Sequence, residues 1–240
     1  MPPSSHCVVT GESGTRRVLI ALSAMVMLLV LFAAAPAKAH GPVVGKAHAA
    51  WWKWALSFPL SNHPLDPAKH LPCSYGQRGN VWFLGGVVNA GGTVVRDDCT
   101  IPRWTTLVVA VANVECSTLE PPPFFGGNER ELRHCANGVV RRGDPLEITR
   151  QFARLDGHPL SVPRAESPLF RFRVPSESDN ILSCAPSCAD KEGESVADGY
   201  LLVLWPLRPG RHTLRFGGTF PAADFTLDIT YEITVPRHRP

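Results

Sequence analysis

Residues 200–235 read YLLVLWPLRPGRHTLRFGGTFPAADFTLDITYEITV, and their patterning decides the fold. Tyr200 to Leu207 is a continuous apolar run. Arg208-Pro209-Gly210-Arg211 then turns the chain, because proline presets one backbone dihedral and glycine tolerates a positive one. His212 to Phe216 alternates apolar and polar residues. Phe225 to Val235 alternates again, through Phe225, Leu227, Ile229, Tyr231 and Ile233. A period of two is the signature of strands with one wet and one dry face.

The same punctuation extends upstream. Leu169 to Val174 alternates apolar and basic residues, and Leu146 to Leu155 runs into Asp156-Gly157, a hairpin turn signal. Leu107 to Val114 is apolar apart from Asn113, as expected of a strand covered on both faces. Val81-Trp82-Phe83-Leu84 and Thr93-Val94-Val95 are shorter β-rich runs; the latter is bracketed by Gly91-Gly92 and by turn-forming Asp97-Asp98. Two segments read as helices. Ala47 to Ser57 places Ala47, Ala50, Trp51, Trp54 and Ala55 on one apolar stripe, and Pro59 ends it. Residues 129–142 follow an Asn128…Glu131 capping pair and stop at Gly143. The preceding Pro121-Pro122-Pro123-Phe124-Phe125-Gly126-Gly127 is a connector or the rim of a binding surface. The expectation is a mainly β fold: a β-sandwich, immunoglobulin-like or jelly-roll in type, with an N-terminal helix (47–57) and one inserted helix.

The compartment comes from the other end of the chain. Arg16 and Arg17 precede VLIALSAMVMLLVLFAAA, and Ala37-Lys38-Ala39 follows, which is the order of a secretory signal peptide over 1–39. The apolar run is at the lower edge of bilayer-spanning length, so a retained anchor is the alternative; the small residues favour cleavage after Ala39. Removing Arg16, Arg17, Lys38 and Glu12 from the chain's 24 basic and 21 acidic residues leaves a net charge near +1. Such a balance gives no field for nucleic acid or an anionic membrane. The expected product is a secreted or periplasmic single domain, 40–240, with no membrane contact beyond the leader.

Export makes Cys73, Cys99, Cys116, Cys135, Cys184 and Cys188 read as disulfides. Six cysteines permit many connectivities, and sequential pairing is the expectation because each bridge then closes a local loop. The Cys73–Cys99 loop would stabilise by roughly 3.5 kcal/mol and the Cys184–Cys188 loop by roughly 2 kcal/mol. Zinc is the rival, with Cys184-Ala-Pro-Ser-Cys188 spaced like a ligand pair but no histidine nearby.

Several segments carry a resemblance. Trp51-Trp52-Lys53-Trp54-Ala55-Leu56-Ser57, Val81-Trp82-Phe83-Leu84-Gly85-Gly86, Cys99-Thr100-Ile101-Pro102, Asn113-Val114-Glu115-Cys116-Ser117 and the stretch Pro209 to Gly218 together resemble a family of exported bacterial proteins without an established activity. The likeness covers most of the region after the leader and implies no catalytic residue. The last third is also similar to bacterial immunoglobulin-like modules, a likeness of fold and not of role.

Three function classes follow. The first is a non-enzymatic envelope or extracellular module binding a glycan or protein partner. Its candidate contacts are Trp52, off the helix stripe, and Trp104, beside a proline turn; Trp51, Trp54, Trp82 and Trp205 read as core. The second is a copper-dependent oxidase. Cleavage after Ala39 would make His40 the amino terminus, with His134, His158 or His212 as a second imidazole. The third is a hydrolase assembled from distant residues, which a deep pocket with converging ionisable groups would favour. Asp97-Asp98 and Glu192 with Glu194 read as solvated turn or loop acids, while Asp224 and Asp228 could ligate calcium with loop carbonyls but match no known loop spacing. No cofactor is implied, and no nucleophile elbow, phosphate loop or dinucleotide fingerprint occurs.

Overall fold

The alternating stretch Phe225–Val235 is a strand whose Leu227, Ile229, Tyr231, Ile233 and Val235 point inward, while Asp228, Thr230 and Glu232 face outward. The computed structural model describes residues 41–88, 92–176, 179–182, 184 and 187–237, which belong to one compact unit. The leader and His40 lie outside the described residues.

Among the described residues nine strands form, in chain order: β1 (Val81–Leu84), β2 (Gly92–Thr100), β3 (Thr106–Ser117), β4 (Thr149–Leu155), β5 (His158–Pro159), β6 (Phe170–Arg173), β7 (Glu192–Leu204), β8 (Gly210–Phe220) and β9 (Phe225–Val235). They make a four-stranded sheet, β1-β3-β7-β6, and a five-stranded sheet, β2-β9-β8-β4-β5. β1 with β3 and β2 with β9 pair parallel; every other neighbour pairs antiparallel. The two sheets pack face to face as a β-sandwich. Leu107, Val109 and Leu202 of one meet Leu214, Phe216 and Ile229 of the other. Tyr231 stacks on Phe216, with ring centroids 6.0 Å apart, and its hydroxyl donates across the layers to the Gly85 carbonyl at 3.0 Å.

α1 (Gly41–Ala55) covers the outer face of the four-stranded sheet and begins six residues earlier than the stripe predicts. Its buried face also differs. Val44, His48 and Ala49 point in with Trp51, Trp54 and Ala55, whereas Ala50 is exposed. Gly45 permits this contact, since a Cβ there would lie 2.6 Å from the Glu166 carbonyl oxygen. α2 (Glu129–Ala136) has the expected cap: Asn128 Oδ1 accepts from the Glu131 amide at 3.1 Å, and the Gly127 amide donates to Glu131 Oε2 at 2.9 Å. The α-helix ends earlier than residue 142, tightening into a 3-10 turn over Asn137–Val140, where Gly138 packs against Asp144.

The strand read from Leu146 begins only at Thr149, because Leu146 and Ile148 are taken into the cluster beneath α2. Asp97 and Asp98 do not end a strand. They sit inside β2, where the pairing with β9 shifts register between Arg96 and Cys99 and lets both carboxylates reach solvent. The cysteines join sequentially, as Cys73–Cys99, Cys116–Cys135 and Cys184–Cys188. No helix among the described residues is long and apolar enough to cross a membrane.

Candidate functional site

Trp51, Trp54 and Trp82 are core residues, but Trp205 is not: it is 75% exposed, a correction to its sequence reading. β7 has ended one residue before it, so the sheet no longer offers a partner layer. Trp104 is 71% exposed and has a positive φ of 67° in the turn between β2 and β3. The pairing of Leu107 with Leu204 sets Trp205 beside Thr106, two residues from Trp104, so both indoles occupy one pole of the sandwich. Val81, paired to Thr106 from the other side, adds a third exposed apolar residue. The Arg103 guanidinium lies 5.0 Å from the Trp104 ring and donates to the Arg237 carbonyl at 3.0 Å, which holds that indole in place.

Trp52 behaves differently. It is half-buried on α1 between two apolar clusters, and its indole N–H has no acceptor among the described residues. It walls a cleft of about 480 Å³ together with Asn113, Pro121, Phe124, Ile181 and Leu182. An adjoining cavity of about 130 Å³ shares Trp52 and Asn113. β3 brings Glu115 into the cleft, and the turn that follows brings Glu120. Ser117 Oγ donates to Glu120 Oε2 at 2.9 Å and fixes that turn. The two carboxyls lie close enough for each to shift the other's titration. Burial first, opposed by the hydrogen bonds it receives, pushes Glu115 above the usual carboxylate range. Burial and then the Glu115 charge push Glu120 up as well, so the pair holds a proton at neutral pH. Glu115 Oε1 has no hydrogen-bonding partner among the described residues. Sequence reasoning missed this pair. The one available signal was a glutamate, Glu115, at the end of a mainly apolar run.

The other candidates are satisfied or scattered. His212 lies 2.8 Å from both an Asp156 carboxylate oxygen and the Arg208 carbonyl. His134 and His158 belong to separate elements, α2 and β5. No group of three or more His, Cys, Asp or Glu placed to hold a metal occurs among the described residues. Glu192 and Glu194 lie in β7, not in a loop, and face Arg173 at 3.4 Å and Arg171 at 3.1 Å. Asp228 pairs with Arg215 at 2.6 Å, while Asp224 occupies a left-handed turn. A cleft of about 540 Å³ beside α2 has its Arg141 tied to Asp144 and its Glu131 spent on the helix cap.

No family model and no curated protein matches the chain. Among solved structures, the solution structure of amebosin aligns at 9% identity and a TM-score of 0.16, covering 59% of this chain and 96% of that one; a superposition that loose carries no argument.

Proposed function

We propose that this chain is an exported, non-enzymatic module of the bacterial envelope or extracellular space, and that it binds a glycan through the pole carrying Trp104 and Trp205. The observation behind this reading is the pair of indoles more than 70% exposed on neighbouring strand ends. Large exposed aromatics cost solvation unless a ligand covers them, and an indole face suits the apolar side of a sugar ring. Three disulfides support export, because such bridges persist in oxidising compartments. The leader over 1–39, the kinship with the exported family and the immunoglobulin-like type of the sandwich belong to the same reading. Trp52 is assigned to the cleft and not to this face.

A glycan array followed by calorimetry tests the proposal. Trp104→Ala and Trp205→Ala should each weaken the captured glycan about tenfold or more, near 1.4 kcal/mol, without changing the unfolding transition. Unchanged affinity in both variants, or binding of proteins only, contradicts it. The converging Glu115 and Glu120 favour hydrolysis as a second reading, which requires a turnover that Glu120→Gln abolishes.

A further inference from the structure

The structure assigns a second ligand site: the cleft between α1 and the turn after β3 takes a small organic cation, a primary ammonium on an apolar body, with its charge seated on Glu115 and Glu120. The site lies toward the opposite end of β3 from Trp104, so it stands or falls separately from the glycan face.

The argument starts from charge. The only ionisable groups lining the cleft among the described residues are the two glutamates; no lysine, arginine or histidine lines it. Two carboxyls this close share a proton and cannot both ionise unless a cation sits between them. The described residues lining the cleft supply no cation. The elements packed around the pair contribute Ser195 from β7, Ser117 from β3, and Trp52 from α1. Behind Asn113 lies His48, which burial holds neutral.

Free valences point the same way. Glu115 is 3% exposed and lines the cleft, yet its Oε1 has no hydrogen-bonding partner among the described residues. An ammonium brings three donors and no acceptor, which matches carboxylate oxygens. The Trp52 ring adds a face that attracts cations. The remaining walls, including Pro121, Phe124 and Leu182, suit a hydrocarbon body, and about 480 Å³ is the size of a small-molecule site. A metal ion would leave those walls without a role and would find only two carboxylates.

The test uses calorimetry on the disulfide-intact chain at neutral pH with three probes: 2-phenylethylamine, the neutral 2-phenylethanol, and calcium chloride. The amine should bind at least about tenfold more tightly than the alcohol, a gap of about 1.4 kcal/mol. Its enthalpy should vary with buffer, reporting release of about one proton as the ammonium replaces the shared one. Glu120→Gln, which keeps the side-chain shape, should lower amine affinity about tenfold or more while the protein still unfolds cooperatively. Equal binding of amine and alcohol, a calcium response without an amine response, or no binding by any probe overturns the proposal.

Discussion

Two buried histidines, the buried Glu115 and its half-buried neighbour Glu120 give this protein a pH response with opposing parts. Burial lowers His48 to about 4 despite its bond to the Ala165 carbonyl, and likewise lowers His63 to about 4 despite its bond to the Ala55 carbonyl. His63 Nδ1 also accepts the Leu65 amide at 3.1 Å, a contact that only the neutral ring can make. The unfolded chain therefore binds more protons between about pH 6.5 and 4. Stability is complete above that window and is lost as pH falls through it, by up to about 3 kcal/mol per histidine. Glu115 and Glu120 act in the other sense. Their folded pKa values are raised, so their contribution is present below the ordinary carboxylate value and lost as pH rises. Glu120→Gln should thus raise the urea midpoint at pH 7 and make its fall toward pH 4 steeper. An unchanged midpoint at pH 7 would show that the pair carries no strain.

Among the secondary-structure elements, α2 and the β8–β9 ribbon make the sharpest expectations. Asn128→Ala removes the oxygen that accepts the Glu131 amide and should cost about 1 kcal/mol in chemical unfolding. Gly217 faces the Leu227 backbone so closely that a Cβ would lie 1.8 Å from its carbonyl oxygen. Gly217→Ala should cost about 2 kcal/mol or more, because backbone cannot move aside as a side chain can. The period-two pattern of β9, the long, mainly apolar run of β3 and the Asn128–Glu131 cap were legible in the sequence because each is local. Tertiary context decided the rest. The buried face of α1 turned on Gly45 meeting the backbone at Glu166, a partner more than a hundred residues away. Asp97 and Asp98 look like a turn but occupy a bulge, and only the register with β9 reveals it. Trp205 reads as core by composition, yet the strand ends just before it. The Glu115–Glu120 pair depends on a turn geometry that no spacing rule encodes.

For the molecule as a whole, the covalent frame is the premise. Cys73–Cys99 ties the segment before β1 to β2, Cys116–Cys135 ties β3 to α2, and Cys184–Cys188 closes a short loop before β7. Each bridge restricts the unfolded chain, and the first should contribute roughly 3.5 kcal/mol, so reduction is expected to lower the unfolding midpoint markedly. The Trp104–Trp205 pole and the acid cleft sit on the same sandwich and inherit its rigidity. Disulfides persist in oxidising compartments, so the proposed export and this frame are tested together. Non-reducing peptide mapping of native protein recovered from the extracytoplasmic fraction tests this most directly. We predict three linked peptide pairs, Cys73 with Cys99, Cys116 with Cys135 and Cys184 with Cys188, and no free thiol among those six residues. Recovery from the cytosol with those cysteines reduced would contradict the account.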